Sequence, residues 1–427
     1  MNRTKPYILL LFLFNWLLCL SQSTTYDLVI KNGSLIDVKN SKIIPGHTIY
    51  IKGERIEKIE KTKKHKKIIS DTIIDGTGKF ILPGFWDMHI HICWKENLNS
   101  IFSTLLSYGI TGVRDMGGDV GILKKFKNQV KKNLHSGPAL FGAGPILDGE
   151  KPIHPDFSIP LTQKNVRQVL DSLYTEKVDF LKVYSLLPRA VLNSISSYAK
   201  EKNIPFSGHV SEYLTPEEAS EIGQKSFEHL NRLEDLQNDS IRLSAFIKLA
   251  KSNNTWVCPT LIIYKRKAEF AQNEFYIHSL YTHLDIDLKN EWEQVKKKWQ
   301  SKTLTREEVL GAHEKFENQK KLVKNFYDNG IRLLLGTDFA GMQFIYPGYS
   351  LHEEMALLQN IGIPPSEIIK MATIYPALFL GINTTYGSVE EKKMADLIVL
   401  NENPIIDIRN ALKINTVLKA GKIVNRN

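Results

Sequence analysis

Apolar and polar residues alternate in short bursts at the two ends of the chain and in longer, mixed blocks between them. Tyr26–Asp37 (YDLVIKNGSLID) reads as alternating strand with Asn32-Gly33 as a turn, and His47–Ile59 repeats the pattern around Gly53. At the far end, Asp396–Leu400 and Thr416–Val424 read as further short strands, the latter turning at Gly421. Such similar ends predict one small β-sandwich built from residues 24–80 and 385–427, into which the rest of the chain is inserted.

The middle, residues 81–384, alternates short apolar runs with helical stretches, the texture of a parallel sheet. The expected strands are Phe80–His91, Gly109–Met116, Ala139–Leu147, Val178–Leu187, Pro205–Ser211, Ser226–Leu230, Trp256–Leu261 and Arg332–Phe339. Eight strands over this length predict an α/β fold, a closed (β/α)8 TIM-like barrel. An open doubly wound sheet is the competing architecture, but no glycine-rich phosphate loop follows the first strand. Residues 262–328 hold more helical sequence than one barrel helix needs, in Asn290–Gln300 and Glu307–Tyr327. Both a lid over the site and a surface decoration fit that stretch.

Composition changes this picture little. The 427 residues are 42% hydrophobic and 24% charged, ordinary for a globular protein, with a formal net charge of +10. Much of the excess sits in runs such as Lys61–Lys67 and Lys296–Lys298 without interleaved aromatics, so nucleic acid is not an expected partner. Arg3 and Lys5 precede an apolar run, Tyr7–Leu20, and then Ser21-Gln22-Ser23. This is the layout of a cleaved signal peptide over residues 1–23, predicting a secreted or periplasmic protein. A retained membrane anchor is the lesser alternative, since the run is shorter than the roughly 20 residues that span a bilayer. Cys93 and Cys258 would remain after cleavage, too few for a disulfide framework.

The candidate chemistry gathers at the ends of the expected strands. In Asp87-Met88-His89-Ile90-His91, alternation places both histidines on one face, where they can converge on an ion or simply pack as a pair. Phe180, Lys182 and Tyr184 share a face of their strand. If it points inward, the Lys182 ammonium must be paired, neutralised or converted by carbon dioxide to a carbamate, an anion able to bridge two cations. His209, His229 and Asp338 each end another strand. Singly, each reads equally well as a structural residue. Together they lie where a barrel builds its active site, and nitrogen and oxygen donors without cysteine favour zinc or a similar ion.

The stretches Gly78–His91 (GKFILPGFWDMHIH), Leu335–Ala340 (LGTDFA), Met371–Ile382 (MATIYPALFLGI) and Gly387–Asp407, with Lys182, His209 and His229, resemble the amidohydrolase superfamily. Within it they are most similar to the imidazolonepropionase-related branch that includes prolidase-like metallo-dipeptidases. The resemblance implies a metal-dependent hydrolase of carbon–nitrogen bonds with two divalent ions, zinc by preference. His89, His91 and Asp338 would hold one, His209 and His229 the other, and carbamylated Lys182 would bridge them. A hydroxide between the ions would attack the carbonyl, with Asp338 carrying the proton and Tyr184 meeting the oxyanion. Arg114 and His154 are candidates for binding a substrate carboxylate, and His352, after the last strand, is a further substrate-binding candidate at the pocket edge.

His209-Val210-Ser211-Glu212 departs from that scheme, because a His-x-x-Glu resembles the proton-shuttling glutamate of single-metal deaminases. A deaminase or cyclic amidase is therefore the second expectation, with Glu212 catalytic, and a non-catalytic binding relative is the third. The favoured substrates are small molecules such as dipeptides or N-acyl amino acids. A homo-oligomer is compatible with all three readings.

Overall fold

Both chain ends meet in one curled sheet. In the computed structural model, which describes residues 25–63 and 68–425, its strands run in the order Lys422–Ile423, Ile414–Lys419, Leu397–Leu400, Phe80–Pro83, Tyr26–Asp37, Lys42–Lys52 and Arg55–Lys61. Ser70–Asp75 is an eighth strand, paired with Tyr26–Asp37. The expected leader and Lys64–Lys67 lie outside the described residues, among which no helix is long and apolar enough to cross a membrane.

Alternation explains the inner face of this sheet: Leu28, Ile30, Leu35, Ile49, Ile51, Ile56, Leu397, Val399 and Leu418 pack into one apolar cluster. Asn32-Gly33 is not a hairpin turn. Asn32 has φ +61 and the pairing slips on both sides of Gly33, so the dipeptide is a bulge inside one twelve-residue strand. The bend lets the first half pair with Ser70–Asp75 and the second with Phe80–Pro83. The turns at Gly53 and Gly421 do form; Ala420 and Gly421 both have positive φ, as a two-residue hairpin requires.

The inserted domain is the barrel. Parallel pairing joins Phe85–Ile90, Ile110–Asp115 and Ala139–Gly142. Another parallel run joins Leu181–Val183, Phe206–Gly208, Ser226–Glu228 and Trp256–Cys258. Backbone hydrogen bonds complete the ring: Asp179 N–H to Gly142 O (3.0 Å) on one side, Val257 N–H to Arg332 O (3.1 Å) and Met88 N–H to Leu335 O (2.8 Å) on the other. The long run Ala139–Leu147 breaks at Gly144-Pro145, and Ile146–Asp148 pairs separately with Leu181–Val183. Residues 332–339 bridge their neighbours only at Leu333 and Phe339 without forming a regular strand, and the backbone turns left-handed at Asp338.

The long stretch after Trp256–Cys258 divides by function. Leu261–Ala271 packs on Arg306–Asp328, whose Phe316, Leu322, Val323 and Phe326 enter the main core as a barrel helix does. Only the segment between these helices is additional, and its centre is Ile286–Gln300. Trp292 and neighbouring aromatics clamp it to Phe344 and Tyr346, just past Asp338. Glu291 adds contacts to Gln343 (3.1 Å) and Lys95 (3.7 Å), both in loops at the barrel mouth. The segment therefore borders the mouth.

Candidate active site

His89 and His91 leave the first barrel strand with ring centroids 5.4 Å apart. The His229 ring lies 4.5 Å from that of His89 and 5.0 Å from that of His209. Asp338 Oδ1 stands 3.2 Å from His91 Nε2 and 3.3 Å from His89 Nε2. His229 and Asp338 reach these positions through left-handed backbone, φ +63 and +64. Non-glycine residues hold that conformation at a cost of order 1–3 kcal/mol, which surrounding structure must enforce. Here Asp338 N–H bonds His89 O (2.7 Å) and His229 N–H bonds Cys258 O (2.9 Å).

Each imidazole is held by Nδ1. His91 Nδ1–H donates to Gly117 O (3.0 Å) and His89 Nδ1–H to Glu228 Oε2 (2.8 Å). The Thr260 hydroxyl donates to Pro259 O (2.8 Å), so its oxygen accepts from His229 Nδ1–H (2.6 Å). His209 Nδ1 meets Ser185 Oγ (2.9 Å). In the first three rings these bonds leave the Nε2 lone pair free to face the centre. The same logic orients histidine ligands in metal sites.

Lys182 completes the group. It is 1% exposed and its Nζ has no hydrogen-bond partner. Burial pulls the amine down to about 8, against the opposing pull of Glu228 and Asp338. Burial also holds His209 and His229 well below the ordinary imidazole value, with Lys182 adding to it. Burial alone would raise Asp338; the histidines around it keep it ionised well below the usual carboxylate range.

These residues fit divalent cations. His89 Nε2, His209 Nε2 and Lys182 Nζ are buried without hydrogen bonds, and buried polar atoms are rarely left so. His89, His229 and Asp338 offer atoms within 4.8 Å of one another. His89, Glu228 and Cys258 form a second such group. There the Arg114 guanidinium already saturates Glu228 at 2.8 Å, and a second cation would meet its repulsion.

The remaining expected residues separate. Tyr184 stacks on His209 (3.9 Å between centroids), and its hydroxyl lies 3.1 Å from His154 Nε2, which puts both at the mouth. Arg114 does not reach the mouth. Fully buried, it spends its donors on Met88 O, Ser226 Oγ and Glu228, so no substrate carboxylate can reach it. His352 is also displaced: it packs against Phe85 and Tyr108, at the start of the strand whose end carries His89 and His91. Gly348, just before the helix Tyr349–Asn360, already packs on Tyr108, and His352 lies in that helix's first turn. Glu212 is exposed, and its carboxylate makes no contact with the donor set. Cys93 and Cys258 are buried free thiols.

Sequence reasoning missed Trp94, which is sandwiched between His91 and Phe157 with centroids 4.4 Å away on each side. It also missed Asp87, whose carboxylate takes N–H groups of His89 and Thr337 and the Thr337 hydroxyl (2.6 Å), tying the first strand to Asp338. An aromatic or acid beside a histidine pair was the only signal for either.

A barrel whose strand ends present four oriented imidazoles, a carboxylate and an unpaired buried amine defines a metallohydrolase. The amidohydrolase family pattern matches residues 80–424, and the chain belongs to that family, metal-dependent hydrolases of carbon–nitrogen bonds. The fold is similar to that of a Xaa-Pro dipeptidase with methionine bound in its active site (TM-score 0.71, 22% identity, 93% of this chain and 99% of that one). It is also similar to the bottromycin amidohydrolase (TM-score 0.75, 20% identity, 93% and 87%). Among curated proteins, an adenine deaminase of Rubrobacter xylanophilus is 37% identical over 86 residues, 20% of this chain and 14% of that protein. One of Clostridium perfringens is 28% identical over 195 residues, 43% and 33%. The matches thus span a third or less of either deaminase.

Proposed function

We propose that this chain is an exported amidohydrolase that cleaves the amide bond of a dipeptide or an N-acyl amino acid, using two divalent ions bridged by carbamylated Lys182. The observation that carries the reading is the Lys182 amine: buried, unpaired and electrostatically coupled to His209, His229 and Asp338. Only the neutral amine adds carbon dioxide, and burial enlarges that fraction near neutral pH. Loss of one proton makes the neutral amine, and its addition to carbon dioxide forms an N–C bond and releases a second, so a buried cation is replaced by an anion. His89, His91 and Asp338 would hold one ion and His209 and His229 the other, with the carbamate between.

When bound, the ions supply Lewis acidity and lower the pKa of water to near neutrality. The chain's own residues do the rest. Asp338 accepts the proton of the attacking water and delivers it to the leaving nitrogen. The Tyr184 hydroxyl, steadied by His154, donates to the carbonyl oxygen as charge develops there. Trp94 and Phe157 wall the His91 side against bulk water, and the leader expected over residues 1–23 would carry the enzyme out of the cytoplasm.

A second reading, a single-metal deaminase, draws on the local likeness to adenine deaminases. Incubating the zinc- and bicarbonate-treated enzyme with dipeptides, N-acyl amino acids and adenine separates the two. The account expects amide cleavage, two ions per chain, and loss of bridged metal in Lys182→Ala. Ammonia release from adenine alone, with one ion per chain indifferent to Lys182→Ala, would overturn it.

A further inference from the structure

Beneath the site lies a buried ion pair that the mechanism above does not use. Glu228 and Arg114 are both excluded from solvent. Glu228 Oε1 accepts from Arg114 Nη2 (2.8 Å) and from the Ser226 hydroxyl; Oε2 accepts from Arg114 Nη2 (2.8 Å) and from His89 Nδ1–H (2.8 Å). Arg114 is fixed in turn by Met88 O (2.6 Å) and Ser226 Oγ (3.0 Å), with its guanidinium near the Phe379 ring, 5.0 Å from its centroid. Burying two charges is expensive, and an apolar pair of similar shape often serves stability as well or better. What an apolar pair cannot do is accept the Nδ1–H of His89.

We propose that Arg114 and Glu228 are positioning residues, a buried guanidinium–carboxylate pair that fixes the tautomer and aim of His89 so that Nε2 presents its lone pair to the ion beside Asp338. Glu228 supplies an acceptor that is always charged, and Arg114 keeps it so and locks its rotamer. His89 is the one imidazole of the four whose Nδ1 partner is a carboxylate. The others use a backbone carbonyl or a hydroxyl. An anion at Nδ1 makes the ring a stronger donor at Nε2. Ser226 opens and Glu228 closes one three-residue strand that His229 follows, so one short segment supplies both a ligand and the support of a ligand across the barrel.

The inference rests on the metal-site reading, and zinc titration of the purified full chain against a competing chelator tests the two separately. Glu228→Gln removes the charge. Arg114→Met with Glu228→Gln removes it without leaving an unpaired guanidinium, which guards against a variant that fails to fold. The proposal expects near-native circular dichroism and a zinc site weakened about 10- to 100-fold, the usual loss for such outer partners. A cobalt-loaded sample should show a changed visible spectrum. In metal-free wild type, where no variant need fold, nitrogen-15 histidine spectra should show His89 as the Nδ1–H tautomer. Zinc binding within about threefold of wild type in either variant, or an Nε2–H tautomer at His89, would overturn the positioning role while sparing the metal site. A wild-type chain that binds no zinc would overturn both.

Discussion

His352 offers a sharp separation between a pocket residue and a structural one. Its Nε2–H donates to Tyr108 O (2.9 Å), its Nδ1 is buried without a partner, and burial drops the ring from 6.5 to about 4. Above pH 6.5 the imidazole is neutral in both folded and unfolded chains. Between 6.5 and 4 the unfolded chain takes up a proton that the folded one refuses, so stability falls as the pH falls. The drop corresponds to roughly 3 kcal/mol, all of it lost by about pH 4. His352→Gln keeps a donor for Tyr108 O and cannot titrate. Urea unfolding of wild type and variant at a series of pH values isolates this group, because every other acid-sensitive residue cancels in the difference. The variant should gain on wild type by about 3 kcal/mol between pH 6.5 and 4, with kcat/KM at neutral pH changed less than about twofold. A flat difference would refute the burial argument, and a tenfold or larger loss of kcat/KM would return His352 to the pocket.

Other expectations can be checked alongside. Trp94→Ala opens the wall beside His91 and should lower kcat/KM by about tenfold or more with little change in thermal midpoint, read by steady-state kinetics. Arg266→Met leaves the partly buried Glu353 carboxylate without the guanidinium that it meets at 2.6–2.8 Å, and should cost about 3 kcal/mol in denaturant unfolding. Gly208→Ala would set a methyl 1.9 Å from Val183 O at φ +149, beside His209. It should abolish soluble expression, whereas Gly311→Ala, on an open helix face, should leave expression unchanged. Tyr184→Phe should lower kcat far more than it changes KM, by about 100-fold, if its hydroxyl meets the oxyanion.

Much of the fold was legible because burial imposes a period. Phe80–Trp86 and Leu333–Leu335 are apolar runs, as strands covered on both faces must be, whereas Phe206–Gly208 and Ser226–Glu228 are short and mixed. The donors were legible because each stands at the end of an expected strand. What the pattern could not show depends on contacts between distant segments. Arg114 looked like a mouth residue because it nearly ends its strand, yet Glu228 draws it inward from across the barrel. His352 follows the last strand in sequence, but the intervening segment has already brought the chain to Tyr108 before its helix begins. Residues 332–339 make only isolated bridges, and Asn32-Gly33 specifies a bulge with the residues that would also make a turn. Trp94 carried no periodic signal.

The central claim is that six side chains share two cations around a modified lysine. A crystal structure of the enzyme grown with zinc and bicarbonate, recorded on both sides of the zinc absorption edge, tests it directly. Two anomalous peaks, one beside His89, His91 and Asp338 and one beside His209 and His229, with branched density on Lys182 Nζ between them, are the expected result. A free lysine amine with a single peak, or none among these residues, would contradict the account.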